Sequence, residues 1–162
     1  MRQVTAMNRG VYLEELLEAT PTDFCVGVAA YPEKHVEAPN LEWDIGVLLE
    51  KQKAGAHYAV TQIFYDNELY FRFLKSCRDR GVTIPIVPGL KILTRREQVQ
   101  VVPKHFGVTV PERLVEEIVA SPPESVVDVG SGGRSSRPAS CSTAACRRCI
   151  STSCRTPGRS SR

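Results

Sequence analysis

The sequence predicts an α/β protein whose strands lie parallel in one sheet. Three observations predict it. Residues 24–30, 58–64 and 84–87 are short, mostly aliphatic runs of the length of buried strands. The segments between them carry leucine, isoleucine and phenylalanine at helical spacing. The connections are short, so strands and helices alternate, and this order implies right-handed βα crossovers. The expected order is α-β-α-β-α-β-α-α.

Residues 11–19 place leucines and a valine at helical spacing and read as the first helix, ended by Pro21 and Thr22. Residues 24–30 hold no charge and stop at a polar loop bounded by Pro32 and Pro39, which reads as a strand buried on both faces that ends at a working rim. Asn40 is a good N-cap for a helix over 41–54 with Leu41, Ile45, Leu48 and Leu49 inward, closed by Gly55. Residues 58–64 form the second strand, with Tyr65, Asp66 and Asn67 in the loop at its end. A helix over 68–80 turns Phe73, Leu74 and Cys77 inward and stops at Gly81. Residues 84–87 form the third strand, ended by Pro88 and Gly89. Thr94 and Glu97 have capping-box spacing for a short helix, and Pro111 stands in the first turn of another through Val119. Three strands are too few to close a barrel, which takes about eight, so the chain reads as the middle of a larger sheet. No Gly-x-Gly-x-x-Gly follows any strand, which argues against a Rossmann dinucleotide site.

Composition divides the 162 residues into two expected segments, a body of 1–131 and a low-complexity basic tail of 132–162. The net charge is +3, and the tail holds seven arginines and no acid, so the body alone carries +3 less seven, or −4. Cys25 and Cys77 lie in the body and read as reduced core residues; Cys141, Cys146, Cys149 and Cys154 lie in the tail. The body has no apolar run near the ~20 residues of a membrane helix, and the first residues carry no secretory signal, which predicts a cytoplasmic location.

The tail admits a zinc knuckle around Cys146 and Cys149, an arginine-rich nucleic-acid segment, or a disordered linker. A fourth reading accounts for more: GC-rich coding DNA translated out of frame. Cysteine codons begin TG, and in the frame restored by one base each tail cysteine becomes Leu, Val or Met whatever the codon choice. With GC-rich codons, restoration after Ser131 gives EWAVEQARELLDRGVPALHFYIM, an amphipathic helix, a Gly-Val-Pro turn and a strand. The expectation is therefore an out-of-frame tail, disordered in structure, with no nucleic-acid or membrane partner.

Two residues stand out as binding groups. His35 follows a strand, with Glu33 and Glu37 as neighbours, and either rests on the surface or offers a ligand hydrogen bond. The other histidines, His57 and His105, are placed elsewhere, so no metal site is expected. Gln62 interrupts a strand that otherwise asks for burial, and a buried amide without partners costs about 1–3 kcal/mol. Either main chain satisfies it, or a heterocycle with paired donor and acceptor atoms does. Tyr31 either stacks on an aromatic ligand or packs; Phe64 and Tyr65 read as packing; Asp44 and Glu50 read as solvated charge on a helix.

At VAAYPEKH (28–35), VTQIFYDN (60–67) and IPIVPGLKIL (84–93) the chain resembles the methylenetetrahydrofolate reductase family, over about residues 7–131. The restored tail extends the likeness, since family members end with a similar helix, Gly-Val turn and His-Phe-Tyr strand. The resemblance implies a partial (β/α)8 TIM barrel of about three central βα units, holding FAD. It implies an oxidoreductase of one-carbon and methionine metabolism: NAD(P)H reduces the flavin, which reduces 5,10-methylenetetrahydrofolate to 5-methyltetrahydrofolate. It places Tyr31, His35, Ala38, Asp44 and Lys51 against FAD, and Gln62 and Gln98 at the folate substrate. Family members are homo-oligomers. Val47 and Glu50 depart from an amide and a basic residue common at the flavin, and Val102 from an aromatic that packs on substrate. The family's general-acid glutamate belongs to an earlier strand, so no catalytic residue is assigned here. The expectation for the isolated chain is no useful reductase activity, and the alternative is an inactive truncated and frameshifted fragment.

Overall fold

The computed structural model describes residues 1–13 and 19–131. The sheet has three parallel strands, β1 (Gly27–Ala30), β2 (Tyr58–Ile63) and β3 (Ile86–Gly89), in the order β1-β2-β3. Around them run α1 (Arg2–Met7), α2 (Leu41–Lys53), α3 (Asn67–Asp79), α4 (Gln98–Phe106) and α5 (Glu112–Ala120), then a 3-10 turn at Pro123–Ser125 and α6 (Val126–Gly130). The predicted alternation holds from β1 to α5. The predicted helix over 11–19 lies largely outside the described residues, as does the whole reading of the tail. The sequence analysis placed no helix at α1 or α6.

The core lies on one side of the sheet. Ala30 of β1, Ala59 of β2 and Ile86 of β3 meet Ile45 and Leu48 of α2 and Tyr70, Phe73 and Cys77 of α3. Leu41, Leu49 and Leu74 pack around them, so the expected inner stripes of both helices are as read. Burial pushes the Cys77 thiol up to about 11, against a smaller lowering by Arg78, and the residue is an inert, uncharged piece of the core. A second cluster joins Leu93, Val99, Val102, Val108, Ile118 and Val126 of the segment after β3. Ile63 and Tyr65, at the end of β2, pack against it.

Helix ends follow local chemistry. Asn40 Oδ1 accepts from Trp43 N at 2.8 Å, and Asp66 Oδ1 accepts from Glu68 N at 2.8 Å, so both central helices begin on a side-chain cap. Gly55 leaves α2 at φ +96°, a conformation that costs glycine little. Glu42 and Asp44 stand at the positive end of α2 and Lys51 and Lys53 at its negative end. Replacing Asn40 with alanine removes the cap and is expected to lower stability by about 1 kcal/mol, read from the urea midpoint at unchanged m-value.

Four expectations are corrected. β1 begins at Gly27, not at residue 24; Phe24 is half exposed, because main chain before Val26 does not pair with β2. Nor is β1 buried on both faces: Gly27 and Ala29 are exposed, since the helices cover only the face carrying Val28 and Ala30. The Thr94–Glu97 capping box is absent. Gln98 Oε1 accepts instead from Thr94 N (2.7 Å), Thr94 Oγ1 (3.3 Å) and Arg95 N (3.2 Å), the longer amide reaching back where Glu97 does not. β3 also starts two residues later than expected and includes Pro88 and Gly89.

Candidate functional site

The face of the sheet turned away from α2 and α3 is an open cleft of about 410 Å³. Gly27, Ala29 and Val60 give it a low apolar floor, Tyr58 and Tyr31 stand as walls, and Gln62 is its amide. It runs from Gly27 and Tyr58, which begin β1 and β2, to Tyr31 and Gln62 near their carboxyl ends, the end at which parallel α/β sheets bind ligands. Gln62 Oε1 accepts from the neighbouring Ile63 N at 2.9 Å. Its Nε2 has no hydrogen bond to any other described residue. Half the amide is therefore satisfied by main chain, and the donor half is available to a ligand.

The loop after β1 forms the rim. Tyr31 and His35 meet edge to face, with ring centroids 4.7 Å apart. Four contacts fix the loop around them. Asp44 Oδ2 accepts from His35 N at 2.6 Å, and His35 Nδ1 accepts from Glu37 N at 3.3 Å. Lys34, at φ +103°, sends Nζ to the Ala38 carbonyl at 2.9 Å. The Glu33 carboxylate accepts from Thr109 N (2.9 and 3.0 Å) and from Thr109 Oγ1 (2.6 Å), across 76 positions of sequence. Asp44 is thus half-buried and holds the loop, which corrects its reading as a solvated helix charge. Glu50 keeps that reading, paired with Lys53 at 2.8 Å on the surface.

The structure unites some of the expected site residues and separates others. Tyr31, His35, Ala38 and Asp44 share the rim loop and its anchor; Tyr31 and Gln62 line the same cleft. Lys51 reaches β1, where Nζ donates to the Ala29 carbonyl at 3.0 Å. Gln98 is not among the residues lining the cleft and spends Oε1 on the start of its own helix. Val102 lies inside the second cluster, 3 % exposed. His57 Nδ1 accepts from Val26 N at 2.9 Å, and His105 Nδ1 lies 3.0 Å from the Val101 carbonyl. Among the described residues no group of three or more histidines, cysteines and acids could hold a metal ion, and no helix is long and apolar enough to cross a membrane. The sequence analysis missed the Glu33–Thr109 strap. Glu33 was visible only as a neighbour of His35, and nothing in spacing joins it to Thr109.

The family model described as methylenetetrahydrofolate reductase matches residues 2–133, most of the chain. The chain belongs to the methylenetetrahydrofolate reductase family. Individual relatives agree. The 5,10-methylenetetrahydrofolate reductases of Escherichia coli K12 and of Buchnera aphidicola are each 38% identical over 94 residues, covering 58% of this chain and 32% of theirs. Methylenetetrahydrofolate reductase 2 of Schizosaccharomyces pombe is 34% identical over 119 residues, covering 66% of this chain and 19% of its own. The chain thus spans about a third or less of the length of these methylenetetrahydrofolate reductases.

The cleft can be tested against the ligands this family implies. A flat heterocycle with a polar edge needs an apolar bed, an aromatic wall and an amide free to donate; Gly27, Ala29 and Val60, the Tyr31–His35 pair and Gln62 Nε2 supply these. The ring end of FAD and a pterin both fit that description. The phosphate end is less provided for: Glu50 is acidic, and Lys51 is committed to main chain.

Proposed function

We propose that this chain carries the central βα units of a (β/α)8 barrel that works, in the cytoplasm, as a flavin-dependent methylenetetrahydrofolate reductase. The observation that carries the reading is the half-satisfied Gln62 amide in the open cleft beside Tyr31. FAD bound here would supply hydride transfer between NAD(P)H and the methylene carbon of 5,10-methylenetetrahydrofolate. The chain's own residues bind and orient. Tyr31 and His35, paired edge to face, would line FAD, and Asp44 keeps His35 in place through its main-chain N–H. Ala38, its carbonyl fixed by Lys34, shapes the loop at the flavin, and Lys51 holds α2 against the floor strand. Gln62 pairs with the polar edge of the pterin, with Gln98 near the same substrate. The family match ends at residue 133, beside the change of composition, and this supports reading 132–162 as out-of-frame translation.

A second reading is a chain that holds flavin poorly and turns over nothing, favoured by the thin cationic provision at Lys51 and Glu50. Titration of the purified chain into FAD, followed by flavin fluorescence, separates the two. The first expects saturable quenching, weakened about tenfold, or ~1.4 kcal/mol, by Tyr31→Ala. Quenching that never saturates overturns it in favour of the second.

A further inference from the structure

The pairing of β2 with β3 breaks step beside Gln62. Val60 pairs with Val87 and Ile63 with Gly89, so Thr61 and Gln62 together oppose Pro88 alone. This is a β-bulge, and its place has a cause: Pro88 has no N–H to give the ladder. The Gly89 N–H turns instead to the Thr61 hydroxyl, at 2.9 Å. Thr61 is 5 % exposed, the one polar residue among those classed as buried in the described chain, so its hydroxyl is held to this partner. Gly89 has no Cβ, which lets the Thr61 carbonyl come in beside it. The clasp therefore fixes main chain at Thr61, directly before the residue that carries the cleft amide, and Ile63 N then fixes Oε1 of that amide.

We infer that Thr61 is a positioning residue: its hydroxyl, clasping Gly89 across the bulge at Pro88, aims the Gln62 amide at the polar edge of the folate pterin. The inference rests on the folate reading of the cleft. It goes further by assigning to a buried hydroxyl, committed to the Gly89 N–H, the direction of the neighbouring amide. Bulges beside binding sites commonly turn a side chain in this way.

The test uses the full chain with FAD and 5-methyltetrahydrofolate as probes, by calorimetry. Thr61→Val keeps the shape and removes the hydroxyl; it is expected to raise the Kd for 5-methyltetrahydrofolate about fivefold and leave that for FAD within about twofold. Thr61→Ser restores the wild-type value. In a double-mutant cycle, Thr61→Val adds nothing to Gln62→Ala, a non-additivity that a merely structural threonine does not produce. The side-chain amide resonance of Gln62, assigned by its loss in Gln62→Ala, gives a readout that needs no folate. It moves in Thr61→Val, or in Thr61→Ala should the valine variant not fold, and returns in Thr61→Ser. An unmoved resonance, or additive losses in the cycle, overturns the inference. A moved resonance together with unchanged folate affinity in Gln62→Ala overturns the folate reading instead, and with it the pterin as the target of the aim.

Discussion

Gly89→Ala is expected to be among the most damaging additions of a single methyl group to this chain. A Cβ built on Gly89 lies 2.1 Å from the Thr61 carbonyl oxygen and 3.2 Å from its carbonyl carbon. Both atoms are main chain in the middle strand, so no rotamer change relieves the overlap. β2 and β3 must move apart, and the Thr61–Gly89 hydrogen bond and the pairing around it go with them. Overpacking of a fitted core costs about 1–3 kcal/mol and sometimes more, and the loss here is expected at or above the top of that range. Gly27→Ala is the control. Its Cβ meets the Tyr58 ring at 2.4 Å, and a side chain at an open cleft can swing aside. Chemical denaturation of both variants decides the matter: a Gly89→Ala cost no greater than that of Gly27→Ala refutes the close strand approach.

Phe73→Ala is expected to cost about 3–5 kcal/mol, the range for removing a fully buried phenylalanine. Phe73 is 2 % exposed, among Ile45, Leu48, Cys77 and Val82, in the cluster that binds α2 and α3 to the sheet. Domains are stable by only about 5–15 kcal/mol, so one such cavity removes a large part of the total. Phe71, two residues earlier and 45 % exposed, supplies the comparison; its truncation is expected to cost under about 1 kcal/mol. Equal effects of the two substitutions on the urea midpoint would refute the assignment of α3's inward face.

Both predictions lie in regions of differing legibility. The Phe73 face was open to reading, because Phe73, Leu74 and Cys77 recur at helical spacing between the loop at Asp66 and Gly81. Asn40 as a cap and the stripe from Leu41 to Leu49 were legible for the same reason: local pattern and local chemistry agree. The bulge was not. Pro88 and Gly89 looked like the end of a strand, since proline usually stops one; here β2 accommodates the missing donor and β3 runs on through both residues. The exposed face of β1 was also hidden, because Gly27 and Ala29 are small enough to suit either side of a sheet. Of the candidate site, Tyr31, His35 and Gln62 could be named from sequence, being polar or aromatic groups at strand ends. What holds them could not. Asp44 on the His35 main chain and Thr109 on Glu33 are contacts set by tertiary approach, and neither leaves a periodic trace.

In the rim loop Glu33, Lys34, His35 and Ala38 are each bonded within the protein, to Thr109, to one another or to Asp44. A molecule settling against Tyr31 and His35 meets a surface whose freedom was surrendered when the chain folded, so association here loses little further entropy. Cutting the strap at Thr109 would return that freedom to the empty state and weaken capture without removing a single atom that touches the guest.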